Sequence, residues 1–310
     1  MFKPVVMENE LATQNKLNYV VLAKWETFID VKPSSKRTYT TAVKQFIKYL
    51  TEHGISQPVR EDVLNWREAL RENRKATTIQ TYLTAVKLFF RWLEQEGLYK
   101  NVADHVKGVK IQSGHKKDYL TSQQSRAVLQ VIKTDTLKGL RDYAMISLML
   151  TTGVRTVEVT RADISDIRIV GGSTVLFVQG KGRDDKAEYV KLAPQVESAI
   201  KLYLNARGAV DGTAPLFAST SNNNTGDRIT TRSVRQIAKR AMIEAGYNSD
   251  RLTAHSLRHT AGTLALLNGA STREVQQLLR HSNINTTMIY AHELDRARNN
   301  AELRVANAIF

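Results

Sequence analysis

The sequence predicts a mainly α-helical protein of two domains, with one small β-sheet or hairpin. Three observations predict it. The chain has 310 residues, more than one hydrophobic core usually gathers. Apolar residues recur at three- and four-residue spacing behind capping residues, the signature of helices with one buried face. Only one pair of β-prone runs stands out, 173–178 and 187–192, on either side of a turn-rich tip.

In chain order, residues 1 to about 15 show no period and read as a loose end. A helix is expected over Leu17–Phe28. Ser34-Ser35 is read as the N-cap of the next, which carries Tyr39, Val43, Phe46, Ile47 and Leu50 at helical spacing and closes at Gly54. A third passes through Val63, Leu64 and Leu70. A fourth starts at Thr77-Thr78, aligns Ile79, Leu83, Val86, Phe90 and Leu93, and stops at Gly97. These four make a bundle whose helices are rich in Lys and Arg, among them Lys44, Lys48, Arg71, Arg74, Lys75, Lys87 and Arg91. Such a face is either solvated or set against phosphates, and Lys87 and Arg91 are candidate DNA contacts. The basic, aperiodic stretch 109–117 is read as a linker, giving domains 1–108 and 118–310.

In the second domain Thr121 caps a helix through Val128, Leu129 and Ile132, and Gly139–Leu150 is strongly apolar. The hairpin follows, with Gly180-Lys181-Gly182-Arg183-Asp184-Asp185 at its tip. Pro194–Asn205 is helical and Asn222–Asp227 a polar loop. Further helices start near Thr231, His255, Ser271 and Thr286, and Ser271-Thr-Arg-Glu274 makes a capping box. No internal repeat is visible.

Composition narrows the function. Lys plus Arg number 45 against 30 Asp plus Glu, a net charge of +15 that favours a polyanionic partner, nucleic acid first. There is no cysteine, so disulfides, thiolate zinc sites and a cysteine nucleophile are excluded. No apolar run can span a bilayer and the N-terminus lacks a secretory pattern, so no membrane association and a cytoplasmic location are expected.

Singly, the polar residues that stand out have ordinary explanations. Arg155, after the glycine that ends an apolar helix, suits an ion pair with Glu158. Lys181 suits a solvated loop. His255 and Arg258, three apart, share a helix face, but His-x-x-Arg is a common spacing. His281 follows a helix end, and Tyr290 lies in an amphipathic segment where a ring usually packs. Together they make chemical sense. Attack on a phosphodiester needs cations on the non-bridging oxygens, a proton for the leaving 5′-oxygen, a base for the attacking hydroxyl, and a nucleophile able to form a covalent intermediate. Two Arg, a Lys, two His and a Tyr meet that list. No acidic metal-ligand cluster is evident, which disfavours a two-metal nuclease.

The order Arg155, Lys181, His255-x-x-Arg258, His281, Tyr290 resembles that of the tyrosine recombinase (phage integrase) family, and closely that of its Xer-like simple members. Local contexts resemble it as well: TTGVRTVEV, VQGKGRDDKAEYVKL, HSLRHTAGTLALLNGAS and LLRHSNINTTMIYAH. The resemblance spans about residues 15–300. It implies a C-shaped DNA clamp with a helical, SAM-like core-binding domain and a catalytic domain. It also implies that Arg155 and Arg258 clamp the scissile phosphate, Lys181 is the general acid, His255 assists proton transfer, and His281 hydrogen-bonds the phosphate. Tyr290 then attacks to give a 3′-phosphotyrosyl link that a 5′-hydroxyl reverses, with no cofactor, metal or ATP. The implied partners are a double-stranded DNA recombination site and further copies of the chain, a dimer on a site and a tetramer in synapsis, with the segment after Ala291, including Leu303 to Phe310, docking on a neighbour.

Two positions depart from the family pattern. Arg280 stands where Gly is usual, adding a phosphate contact or altering the turn. Gly262 stands where Ala is common, at a cost in helix stability. On the expected helix from Thr231, Arg232, Arg235 and Lys239 lie at helical spacing opposite Val234, Ile237, Ala241 and Met242. They form either a solvated stripe or a face for the major groove. A type IB topoisomerase and a non-catalytic DNA-binding protein on the same scaffold stay open. Little chain before residue 15 leaves room for an arm-type domain, so a simple system is expected: dimer or cointegrate resolution, or a small integrative mobile element.

Overall fold

A computed structural model describes residues 17–110, 118–180, 183–288 and 300–310. The chain divides into two compact units, Met1–Ser113 and Gly114–Phe310. Each has its own hydrophobic core.

The first unit is the expected bundle: α1 (Tyr19–Phe28), α2 (Pro33–Glu52), α3 (Arg60–Arg71) and α4 (Ala76–Gln95). Its core is strongly aromatic. Phe46 meets Trp66 and Phe90 edge to face at 5.0 and 5.9 Å, and Trp25 meets Phe89 at 5.4 Å. Asn18 caps α1 by accepting from the Val20 and Val21 amides. The expected cap of α2 is corrected: Lys32 is the N-cap, Pro33 is the first helical residue, and Ser34 and Ser35 lie inside the first turn. Proline is suited there, because its ring presets φ and that position needs no N–H donor. Gly54 and Gly97 end α2 and α4 at φ 66° and 65°, a region open to glycine without strain.

The second unit begins with α5 (Ser122–Gln130), where Thr121 and Gln124 cap each other reciprocally. The apolar α6 (Leu137–Thr152) is the central helix. It packs against α8 (Pro194–Arg207) and α10 (Ala254–Leu267), which explains why the run Ala144–Leu150 is buried all round. Short α7 (Thr156–Arg161) leads into the sheet. The hairpin of β2 (Ser173–Val178) and β3 (Glu188–Lys191) is antiparallel as expected, with Leu176 opposite Val190. A third strand, β1 (Ile167–Val170), adds to the far edge of β2 through the Gly171-Gly172 turn, giving the order β1-β2-β3. Its four residues are too few and too exposed to show a period, so the sequence pattern hides it.

The remaining helices are α9 (Thr231–Glu244), α10, α11 (Thr272–Leu279) and α12 (Ala301–Ile309), and residues 284–288 are helical. The Ser271–Glu274 capping box forms, with each side chain accepting from the other's amide. Gly262 does more than weaken a helix. A Cβ there would lie 2.9 Å from Leu279 Cδ1, and one on Gly153 would lie 2.5 Å from Leu279 Cδ2. Leu279, fully buried, fills the gap between the two glycines and fixes how closely α11 approaches α6 and α10. Among the described residues no helix is long and apolar enough to cross a membrane.

Candidate functional site

The site is assembled where three helix ends meet. Gly153, at φ 61°, terminates α6, and the chain turns so that Arg155 becomes the N-cap of α7. Glu158, on the first turn of α7 and wholly buried, reaches back to Arg155. Its Oε2 accepts from the Arg155 amide at 2.7 Å and its Oε1 from Arg155 Nη1 at 2.9 Å. This is the ion pair the spacing suggested. It leaves the Arg155 side chain one-third exposed, restrained but open to a ligand.

Arg258 projects from α10 into the middle of the cluster and is 2% exposed. Its Nη1 donates to Gly153 O at 2.6 Å, and its Nη2 donates to Leu279 O. Both carbonyls are at helix C-termini, where the peptide dipoles concentrate negative charge and a guanidinium is favoured. Arg258 thus ties the ends of α6 and α11 to α10. His255, one turn earlier on α10, is exposed. His259, by contrast, is buried and bonds Thr263, a structural role.

Past α11, Arg280 adopts the left-handed conformation, φ 53°, which accounts for glycine being the easier residue there. Its side chain does not reach outward. It is 5% exposed, and Nη2 donates to Glu158 Oε2 at 2.6 Å. Neither expectation for Arg280, an added phosphate contact or an altered turn, named this inward contact with Glu158.

His281 follows, half-buried, with Nδ1 2.8 Å from the hydroxyl of fully buried Thr287. Its titration is lowered to about 4 by burial first, and then by the charges of Arg258, Arg155, Arg280 and His255. The charges of these four residues, spread over 125 positions of sequence, all act on the one imidazole. Thr287 is a partner that single-residue reasoning missed, although the Thr286-Thr287 pair stood inside the motif. Lys181 and Tyr290 lie outside the described residues.

Other groups hold Gly180 and Lys186, in the hairpin connection. Arg161 donates to Gly180 O at 3.2 Å on one side. On the other, Lys186 bonds Asp163 and Asp166 at 2.6 and 2.5 Å, and Arg228 reaches Asp163 at 2.5 Å. Burial works against charge on Asp163, yet hydrogen bonds and the charges of Lys186 and Arg228 win and lower its pKa. On α9, Arg232 and Arg235 are exposed beside a shallow depression of about 450 Å³. Lys239 is committed elsewhere, its ammonium donating to Ser249 O at 2.6 Å and Leu252 O at 3.3 Å. In the first unit Lys44 and Lys48 face glutamates at 3.9 and 3.5 Å, and Arg71 pairs with Glu68 at 2.9 Å. Lys87 is partly exposed and Arg91 exposed on α4. Among the described residues no group of three or more His, Cys, Asp or Glu could hold a metal ion.

Comparison with known proteins places the chain in a family. Residues 118–297 match the phage integrase family, and residues 30–97 match the phage integrase N-terminal SAM-like domain. The tyrosine recombinase XerC of Pelobacter propionicus is 37% identical over 179 residues, 57% of this chain and 56% of that protein. XerC of Herpetosiphon aurantiacus is 30% identical over 263 residues, 82% of this chain and 83% of that protein. Two solved structures share the fold. XerH site-specific recombinase bound to palindromic difH substrate gives a TM-score of 0.71 at 21% identity, covering 85% of this chain and 78% of that one. A lambda integrase dimer bound to a core site gives 0.69 at 16% identity, covering 86% and 96%. The chain belongs to the phage integrase family, whose members are tyrosine recombinases. Within it the chain is of the Xer-like kind, with a SAM-like helical domain ahead of the catalytic domain.

Proposed function

We propose that this protein is a site-specific recombinase that cuts and rejoins double-stranded DNA through a covalent 3′-phosphotyrosyl intermediate. The observation that carries this reading is that Arg258 donates to Gly153 O, two residues before Arg155, and to Leu279 O, two residues before His281, so that one buried guanidinium ties both segments to α10, which also carries His255. Such a cluster is a cradle for one phosphate.

In this reading Arg155 and Arg258 bind the non-bridging oxygens. His281, neutral and with Nδ1 accepting from Thr287, donates from Nε2 to a phosphate oxygen. The Tyr290 phenol oxygen attacks phosphorus while His255 takes its proton. The P–O5′ bond breaks, and Lys181 supplies the proton that makes the leaving group a 5′-hydroxyl. A partner strand's 5′-hydroxyl reverses the step, so the ester is conserved and neither metal nor ATP enters the balance. Arg232 and Arg235 on α9 support contact with the major groove, and Lys87 and Arg91 on α4 support contact with the backbone. Lys239, held by two carbonyls, fits a structural role better than base readout. The domain limits we propose are 1–108 and 118–310 joined by 109–117. Function on DNA implies a dimer on each site and a tetramer in synapsis, in the cytoplasm where such a substrate lies. Resolution of a dimer or cointegrate and movement of a small element are the roles that fit.

Denaturing capture of covalent complexes from DNA of the source cell, followed by sequencing of the junctions, identifies the site. A nicked suicide duplex carrying that site then tests the chemistry. The expected result is a protein–DNA adduct that Tyr290→Phe abolishes. An adduct unchanged in Tyr290→Phe sinks the assignment, and relaxation of plasmids lacking the site points to a topoisomerase instead.

A further inference from the structure

We propose that Arg280 is a positioning residue for strand cleavage, acting on Arg155 through the buried carboxylate of Glu158. The inference rests on the recombinase reading above.

Arg280 occupies a place that is unfavourable in two ways. Its backbone is left-handed at φ 53°, a region that disfavours a residue with a Cβ. Its Nε is buried with no acceptor among the described residues, a further desolvation cost. A glycine would avoid both. What the arginine gains in return is a specific set of contacts: Nη1 to Leu278 O at 2.9 Å and Nη2 to Glu158 Oε2 at 2.6 Å. The side chain is 5% exposed against 33% for Arg155, so Arg155 faces a ligand and Arg280 stands behind it.

The carboxylate between them explains the effect. Glu158 is wholly buried and divides its acceptors: Oε1 takes Arg155 Nη1, while Oε2 takes the Arg155 amide and Arg280 Nη2. One negative charge thus serves two guanidiniums, and a net positive charge remains on the pair. Without Arg280, Glu158 faces Arg155 alone in a desolvated setting. A one-to-one buried pair largely neutralises the guanidinium and holds it against the protein, at the expense of a phosphate.

The test uses the full-length chain and the nicked suicide duplex carrying the captured junction. Arg280→Gly keeps the left-handed turn, so the variant folds, which circular dichroism verifies. Its single-turnover rate of adduct formation is expected to fall about tenfold or more while duplex affinity stays within about twofold. Arg280→Lys, which restores the charge, is expected to recover much of the loss. Because the effect passes through Glu158, the double variant Glu158→Gln/Arg280→Gly is expected to be no slower than Glu158→Gln alone. A wild-type rate in Arg280→Gly, equal losses of rate and affinity, or additive losses in the double variant would each overturn the proposal. Absence of an adduct with the wild-type chain instead overturns the recombinase reading on which it stands.

Discussion

At the scale of the residue, His281 and the groups whose charges act on it set the electrostatics of the candidate site. The imidazole titrates at about 4 rather than 6.5 because burial strips water from the charged form and neighbouring cations repel it. Between those values the unfolded chain binds the proton and the folded one does not. The stability associated with the neutral ring is therefore fully present above about pH 6.5 and is lost as pH falls towards about 4. Thermal melts of wild type and His281→Asn across that interval check this: the wild type is expected to fall more steeply on the acid side. Thr287 has the neighbouring role. Thr287→Val removes the hydroxyl that fixes the tautomer of His281, and adduct formation is expected to slow about tenfold, with Thr287→Ser near wild type. Arg258 is a poorer probe of catalysis. Its removal leaves Gly153 O and Leu279 O without a buried donor, and Arg258→Ala is expected to lose about 1–3 kcal/mol of stability in denaturant titration.

At the scale of elements, the approach of α11 to α6 and α10 depends on two glycines facing one leucine. Gly153 combines a left-handed φ with a Cβ position 2.5 Å from Leu279 Cδ2. Gly153→Ala meets both penalties, and a loss of about 1–3 kcal/mol is expected. The same carbonyl that accepts from Arg258 moves with it, so the adduct rate on the suicide duplex should fall together with the melting temperature. The hairpin is held by a different device, the Lys186–Asp163–Asp166 bridge with Arg228. This bridge anchors the approach to the tip by ion pairs, because the polar tip sequence offers no apolar surface to bury.

For the whole molecule, charge and division into units are the governing facts. A net charge of +15 makes binding to a polyanion strongly salt-dependent, since each phosphate neutralised releases counterions. Filter binding or anisotropy over a salt series is expected to give a steep slope of log Kd against log salt, reduced by about one unit in Arg91→Ala. Each unit has a separate core, one built on Phe46, Trp66 and Phe89 and the other on Met145, Leu148 and Phe217. Residues 118–310 expressed alone are therefore expected to melt cooperatively, as calorimetry can check.

Sequence alone determined the helical elements with strong apolar period, the capping residues Thr121 and Ser271, the hairpin pair, and the resemblance to the phage integrase family, because each is written in local spacing or residue type. It left β1 hidden, since a four-residue exposed strand has no period of its own. It placed the α2 cap on Ser34-Ser35 because serine is the commoner N-cap, whereas the proline before them sets the helix start. Only tertiary structure decided that Arg280 turns inward to Glu158, that Thr287 holds His281, that Lys239 is tied to two carbonyls, and that Gly262 makes room for Leu279. Those outcomes depend on which groups meet across 6 to 122 positions of chain, and on which of them water can still reach. Neither is a property of neighbouring residues.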